Sequence, residues 1–185
     1  MPRPPANLPL RLFVAVYPPA EVTAALGGAL AALEPAECRM TPAEQVHMTL
    51  QFIGDVRARD VEGVVESVSR SAAGVRRFEL RPERLISIPA KGPARLIAAT
   101  MNAPGELLEI TRRLAQRLSR TRRADPVEGF LPHMTLCRFR EGARPGFVDV
   151  PVEGPAFEVN EVVLVKSALR PGGAVHTGVE RFGLE

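Results

Sequence analysis

The tetrapeptide His-Met-Thr-Leu occurs twice in this chain, at 47–50 and again at 133–136. Each copy opens an apolar run, HMTLQFI at 47–53 and HMTLCRF at 133–139, and each follows a loop that contains proline. Nearly half of the 185-residue chain separates the two copies, and internal repeats usually reflect duplicated structure. The repeat therefore predicts two similar lobes related by a pseudo-twofold axis.

The two apolar runs are predicted to be β-strands, in which successive side chains point to opposite faces. His47 and Thr49 would then share one face, as would His133 and Thr135, while the Met and Leu of each copy point into the core. Two such strands side by side would bring two imidazoles and two hydroxyls into one cleft. One neutral histidine can take a proton from a nucleophile while the other, protonated, gives one to a leaving oxygen. Because the hydroxyls can donate hydrogen bonds to phosphate oxygens, this set predicts cleavage of a phosphodiester without a metal ion.

Two other roles for these histidines remain open. A single histidine on a strand is usually a structural residue, and threonine is simply a good strand former. Two copies weaken that interpretation, because a polar face must then be exposed or hydrogen-bonded twice. His47, His133 and His176 could also supply three nitrogens to zinc, but the sequence has no HxxxH, HExxH or Asp-rich motif. We therefore rank catalysis above a metal site, and a metal site above a structural role.

The order of the predicted elements is irregular, which is typical of an α+β fold and not of a βαβ array. Apolar runs predict strands at 10–16, 47–53, 78–80, 84–88, 95–101, 133–139, 157–168 and 174–182. Apolar residues at helical spacing predict helices at 20–33, 60–72 and 104–120. The segment 34–45 is predicted to be a loop, and Pro171-Gly172-Gly173 a turn between the last two strands. No low-complexity linker divides the chain, so we expect a single domain over 1–185.

Composition narrows the class of protein. Apolar residues make up 45% of the chain and charged residues 24%, which favours a packed core over disorder. No apolar run approaches the roughly 18 residues that span a membrane, and residues 1–9 lack the apolar region of a signal peptide. Two cysteines, Cys38 and Cys137, are too few for a disulfide scaffold and lack metal spacing. These features favour a reducing cytoplasm.

The formal net charge of +3 permits a polyanionic partner but supports it only weakly. Nearly all the cations are arginine, with lysine only at 91 and 166, and such a bias reflects genome composition more often than phosphate binding. A dense group of arginines lies on and after a predicted helix: Arg112, Arg113, Arg117, Arg120, Arg122 and Arg123. A solvated helix face is the favoured interpretation of this group, and an RNA-facing patch is the alternative.

Around the two His-x-Thr motifs, the sequence resembles the 2H phosphoesterase superfamily, named for its paired H-x-[TS]-x motifs. Within it, the chain is similar to the RNA 2',3'-cyclic phosphodiesterases, also called 2'-5' RNA ligases. The similar segments are RLFVAVYPP at 11–19, HMTLQFIGDV at 47–56, LPHMTLCRF at 131–139 and VVLVKSALRPGGAVHTGVERFGL at 162–184. The resemblance implies two pseudo-symmetric, intertwined lobes within one domain, each an antiparallel β-sheet with outer helices, flanking a central cleft.

The same resemblance implies roles for six side chains: catalytic His47 and His133, phosphate-binding Thr49, Thr135 and Arg138, and nucleoside-binding Phe52. Arg138 and Phe52 each stand five positions after a motif histidine. Strict alternation along a strand would place both on the wrong face, since five is odd. A bulge or bend at the strand end is therefore required to aim them into the cleft.

Two further residues lie near the implied site. His176 stands where the family often has an aromatic residue after the C-terminal turn, and we expect it to be an exposed hairpin residue, with a place in the cleft lining as the alternative. Under strict alternation Cys137 shares a face with His133. We expect this cysteine to be a small filler, because nothing nearby indicates an activated thiolate.

The implied activity is hydrolysis of an RNA terminal 2',3'-cyclic phosphate to a 2'-phosphate, with no metal and no cofactor. His47 would be the general acid at the departing 3' oxygen and His133 the general base on water, although the symmetry of the motifs leaves that order open. Alternatives are a 2'-5' RNA ligase or 2'-5' phosphodiesterase, or an RNA-end binding protein without turnover, which the intact motifs disfavour. The implied partners are RNA ends with a cyclic phosphate, tRNA fragments among them, or nucleoside 2',3'-cyclic phosphates. We expect a cytoplasmic monomer with no membrane partner.

Overall fold

The computed structural model describes residues 9–35, 37–119, 127–143, 145–170 and 173–185. Within these ranges the chain forms an α+β fold with three α-helices, α1 (Ala20–Ala31), α2 (Val61–Ala72) and α3 (Gly105–Leu118). The strands are β1 (Leu10–Val16), β2 (Cys38–Met40), β3 (Met48–Val56), β4 (Phe78–Leu80), β5 (Pro82–Ile88), β6 (Leu96–Met101), β7 (His133–Phe139), β8 (Asp149–Pro151), β9 (Phe157–Val159), β10 (Glu161–Arg170) and β11 (Gly173–Gly183).

The described strands form one large antiparallel sheet and one small one. The large sheet has the order β11-β10-β1-β3-β7-β6-β5-β8, with β2 also paired to β7, and the small sheet joins β4 to β9. The two strands that carry the tetrapeptide repeat, β3 and β7, are therefore neighbours at the centre. Outside each of them lie three further strands, so the sheet has two matching halves. The half that contains β3 takes strands from both ends of the chain, which intertwines the two halves.

The two halves meet at a narrow seam. Between β3 and β7 the backbone pairs at Met48 and Met134. By contrast, β3 pairs with β1 at seven positions and β7 pairs with β6 at five. Both methionine side chains are fully buried, and methionine can fill an irregular space between two packed units because its side chain is flexible.

All three helices cover the same face of the sheet. Their buried residues, Val22, Leu26, Leu30, Val64, Val68, Leu107, Ile110 and Leu114, belong to one hydrophobic cluster together with the Met and Leu of both repeats. The opposite face of β1 and β10 carries a second, smaller cluster of Phe13, Ala15, Val163 and Val165. Because one cluster includes residues from both halves, we propose that 1–185 is a single domain. The polar residues of the two repeats therefore lie on the opposite face of the sheet, which these three helices do not cover.

Three segments differ from the expectation from sequence. The predicted loop at 34–45 contains β2 and a 3-10 helix at Ala43–Gln45, and the predicted loop after β7 contains β8. Each of these strands has only three residues, too few to show an alternating pattern. The predicted strand at 157–168 is two strands interrupted at Asn160, because the chain passes there from the small sheet to the large one.

The predicted helix end at Arg120, the turn residues Pro171 and Gly172, and Arg122 and Arg123 lie outside the described residues. Among the helices that are described, none is long and apolar enough to cross a membrane.

Truncating a seam methionine should destabilise the fold strongly. Met134→Ala leaves a cavity where the halves meet, and we expect a loss of about 2–5 kcal/mol in the free energy of unfolding, measured by urea denaturation. Met40→Ala is the matched control, because Met40 is 46% exposed and its truncation should cost at most about 0.5 kcal/mol. Equal losses for the two variants would contradict the role of the seam in stability.

Candidate active site

The register at the seam determines how the two His-x-Thr motifs face each other. The seam methionines pair directly in an antiparallel ladder. Continuing this register by one residue in each direction sets His47 opposite Thr135 and Thr49 opposite His133. All four side chains point away from the methionines, because faces alternate along a strand. The two imidazoles therefore occupy diagonal corners, where residues are about 7–8 Å apart, and the two hydroxyls occupy the other corners.

These four side chains line a cleft of about 510 Å³. Three arginines, Arg39, Arg138 and Arg140, also line it, and the lining residues that the structure describes include no carboxylate. Guanidinium groups bind phosphate oxygens in a bidentate manner and keep their charge at any physiological pH. The cleft is therefore suited to an anion.

The two motif histidines are oriented in the same way. His47 Nδ1 lies 2.7 Å from the carbonyl oxygen of Gln45, and His133 Nδ1 lies 2.8 Å from that of Leu131. A carbonyl oxygen can only accept, so Nδ1 carries the hydrogen in both rings. In the neutral state the free lone pair is then on Nε2. Each ring is thus held with Nε2 as the nitrogen that exchanges a proton in chemistry.

His47 is surrounded by aromatic rings. Its ring centroid lies 5.0 Å from that of Phe13, 5.0 Å from that of His176 and 5.6 Å from that of Tyr17. Burial lowers the pKa of His47 to about 4, and the nearby His176, Arg138 and His133 add to the lowering. The hydrogen bond to Gln45 acts in the opposite direction without reversing it. His47 is consequently neutral at pH 7 in the substrate-free protein.

His176 lines the cleft, so the expectation of an exposed hairpin residue is wrong. The β10–β11 hairpin places the His176 ring 5.0 Å from Phe13, at an interplanar angle of 72°. Its Nδ1 is buried and has no hydrogen-bond partner among the described residues. Burial lowers the pKa of His176, and the charge of Arg138 lowers it further. Strand alternation alone does not predict this placement, because it does not show which face of the β10–β11 hairpin lies toward the cleft.

A β-bulge in β7 places Arg138 in the cleft. Thr135 and Cys137 pair with adjacent residues of β6, so Leu136 is an extra residue between them. Beyond the bulge the faces are exchanged: Cys137 is fully buried in the main core, and Arg138 lines the cleft. The expectation that Cys137 shares a face with His133 is therefore wrong. Burial raises the pKa of the Cys137 thiol to about 11, so it is not an activated thiolate.

An equivalent bulge occurs in β3. Thr49 and Gln51 pair with adjacent residues of β1, so Leu50 is the extra residue, at the same distance from its histidine as Leu136 is from the other. Phe52 then pairs directly with Phe13 and shares its face of the sheet. Its side chain does not line the cleft, however. It is 51% exposed and lies 4.9 Å below the guanidinium of Arg11.

Two sets of residues could not be identified from the sequence, one that lines the cleft and one that packs against His47. Arg39 lies in the segment predicted to be a loop, but β2 pairs it directly with Arg138. A side chain at Gly173 would overlap the Arg39 guanidinium, so the hairpin tip and β2 approach closely across the cleft. Phe13 and Tyr17 lie in and just after the predicted first strand, and nothing in that pattern indicates that they pack against His47. The signal available for Arg39 was the apolar-polar-apolar triplet at 38–40.

In the part of the chain that the structure describes, no group of three His, Cys, Asp or Glu side chains is placed to hold a metal ion.

Comparison with known proteins shows the family to which the chain is similar. The family described as LigT like phosphoesterase matches residues 16–98. An RNA 2',3'-cyclic phosphodiesterase of Thermus thermophilus is 32% identical, over 95% of this chain and 90% of that protein. One of Aquifex aeolicus is 28% identical, over 76% of this chain and 79% of that protein.

Solved structures show the same fold. A protein of Thermus thermophilus superimposes with a TM-score of 0.81 at 30% identity, covering 94% of this chain and 97% of that one. Escherichia coli LigT complexed with 3'-AMP superimposes with a TM-score of 0.78 at 25% identity, covering 95% and 98%.

The fold and the paired motifs define a 2H phosphoesterase, as the resemblance in sequence implied. More specifically, the chain belongs to the LigT-like phosphoesterase family.

Anion binding should raise the pKa of His47. In the free protein we expect this histidine to titrate near pH 4, because its charged form is buried beside other cations. Bound sulfate, which keeps its charge over this range, would stabilise the imidazolium. By linkage, sulfate should then bind more tightly as the pH falls through the raised pKa of the bound state, and the gain should level off below the free-protein pKa of about 4. Histidine NMR titrations with and without sulfate measure both effects. An ordinary pKa near 6.5 in the free protein would contradict the burial described.

Proposed function

We propose that this protein hydrolyses RNA terminal 2',3'-cyclic phosphates to 2'-phosphates. The observation that carries the proposal is the pairing of two imidazoles and two hydroxyls at alternating corners of a cleft rich in arginine. The names of the Thermus and Aquifex relatives support this choice of substrate. The same residues could join or cleave 2'-5' linkages, but no feature of the cleft favours that reaction.

In the proposed reaction, water attacks phosphorus and the bond to the 3' oxygen breaks. His133 takes a proton from the attacking water through Nε2, and His47 gives a proton to the departing 3' oxygen. His47 is neutral in the free protein, so it must first take up a proton. The anionic substrate would favour that uptake, since a negative charge beside an imidazole favours the charged form. No metal or cofactor is needed, because both proton transfers are assigned to a side chain.

The phosphate would be held by three further side chains. Thr49 and Thr135 would donate hydrogen bonds to the non-bridging oxygens as negative charge develops. Arg138 would pair with the same oxygens from the bulged end of β7. For Phe52 we propose a contact with the nucleoside, supported by the family resemblance and by its place on the same face as Phe13.

We further propose a monomer that acts in the cytoplasm on RNA ends, tRNA fragments or nucleoside 2',3'-cyclic phosphates. Cys38 and Cys137 are both free thiols, which suits a reducing compartment. The complex of Escherichia coli LigT with 3'-AMP, a nucleoside monophosphate, supports a nucleotide as ligand.

The proposal is tested with a nucleoside 2',3'-cyclic monophosphate in the presence of EDTA. We expect turnover to a nucleoside 2'-phosphate, separated chromatographically from the 3' isomer. His47→Ala and His133→Ala should each lose roughly 10²–10⁴-fold in kcat. The double variant should be little worse than either, because an acid-base pair acts as a unit. Loss of activity in EDTA that zinc or manganese restores would overturn the metal-free mechanism. So would near wild-type turnover by either single variant that is folded by circular dichroism.

The threonine hydroxyls are tested by a matched pair of substitutions. Thr49→Ala or Thr135→Ala should raise the barrier by roughly 2–4 kcal/mol, as loss of an oxyanion-hole donor does. Serine at the same position should recover much of the activity, because it keeps the hydroxyl. Thr177→Ala is the control, since Thr177 is exposed on β11 and should leave kcat unchanged. Similar kcat values for the alanine and serine variants would show that threonine serves only as a strand former.

A further inference from the structure

A second groove, of about 700 Å³, adjoins the cleft. The two share Arg138, Phe139 and Arg140, so the surface is continuous from one to the other. The far wall of the groove is the segment 89–95, which carries Lys91 and Arg95. The backbone N–H of Phe139 donates to the Arg95 carbonyl oxygen at 2.9 Å, which ties this wall to the end of β7.

The groove is lined by more cationic than anionic side chains. Four cationic side chains line it, Lys91, Arg95, Arg138 and Arg140, against one carboxylate, Glu141. All four cations are exposed, and none forms an ion pair with any residue that the structure describes.

Elsewhere in the described residues, eight arginines do pair with carboxylates. These are eight of the seventeen arginines that the structure describes, so arginines without a carboxylate partner also occur outside the groove. The groove is distinguished by grouping four unpaired cations with one carboxylate directly beside a cleft suited to an anion, and this grouping favours an anionic partner.

An exposed aromatic residue lies just beyond the groove. Phe147 is 65% exposed and lines a hollow of about 320 Å³ together with Pro93 and Ala94. Those two residues also line the groove. Cationic side chains followed by an exposed aromatic ring are typical of surfaces that bind single-stranded nucleic acid, since bases stack on the ring while cations contact the backbone.

We propose that this groove binds the RNA strand on the 5' side of the terminal cyclic phosphate, so that oligonucleotides are preferred to mononucleotides. A 3' end held between the histidines can continue only in the 5' direction. Backbone phosphates would contact Lys91, Arg95 and Arg140, and a base would stack on Phe147. This inference rests on the proposed function and deepens it by naming the substrate class.

The test compares kcat/KM for a cyclic mononucleotide with kcat/KM for a tetranucleotide that ends in the same cyclic phosphate. Wild-type protein should prefer the tetranucleotide, with a log–log salt slope steeper by about 0.7 for each phosphate contacted. Lys91→Ala/Arg95→Ala should lose about ten- to a hundredfold on the tetranucleotide at 50 mM salt, and stay within about twofold on the mononucleotide. Phe147→Ala should lose about five- to a hundredfold on the tetranucleotide alone.

The matched control is Arg81→Ala/Arg117→Ala, which removes the same charge from exposed positions that do not line the groove. It should retain wild-type kcat/KM on both substrates. Equal kcat/KM and equal salt slopes for the two substrates in the wild type would overturn the groove and leave the proposed function standing. Equal losses on both substrates in the groove variants, or an equal loss in the control, would also overturn it. Failure of the wild type on both substrates would instead reject the proposed function.

Discussion

The pairing of the buried methionines at the seam is the constraint on which the site depends. Because side chains alternate along a strand, burying Met48 and Met134 beneath the sheet turns both His-x-Thr motifs to the opposite face. A slip of one residue on either strand would put an imidazole and a hydroxyl into the apolar core, where unpaired polar groups are costly. Burial of the two methionines on the helix side therefore fixes the register of β3 and β7, and with it the positions of the cleft side chains. The core on the helix side thus stabilises the arrangement of the side chains that we propose to be catalytic, although it lies on the opposite face of the sheet.

The charges that line the cleft favour the binding of an anion to the free protein. Among the residues that the structure describes, arginines line it and no carboxylate does, and the cationic surroundings add to the effect of burial in keeping His47 neutral. A bound phosphate would reduce the repulsion that opposes protonation of this ring. In the proposed mechanism, substrate binding and proton uptake would therefore be coupled through the same charges. The aromatic rings of Phe13 and Tyr17 contribute by excluding water from one side of the histidine.

The sequence predicted the helices, the main strands and the faces of the two motifs, because these depend on local periodicity. The apolar stripe of α3 is an example, since its predicted residues Leu107, Ile110 and Leu114 are buried. Long-range features were not accessible in this way. The apolar-polar-apolar triplet of β2 is too short to predict a strand, so Arg39 was missed, and the packing of the last hairpin decides where His176 lies. Alternation alone misassigned Cys137, because a bulge depends on the pairing of two strands.

The bulge in each of the two strands shifts by one residue which side chains lie on a given face of the sheet. Before Leu136, odd-numbered residues of β7 face the cleft, and after it the arginine at an even position does so. Under the roles proposed above, each strand is divided into a chemical segment, which the two lobes share, and a recognition segment, in which one has Phe52 and the other Arg138. After a duplication, the recognition segments could diverge toward base and phosphate while the chemical segments stayed alike. An enzyme assembled from two copies of one motif could in this way become asymmetric toward an asymmetric substrate.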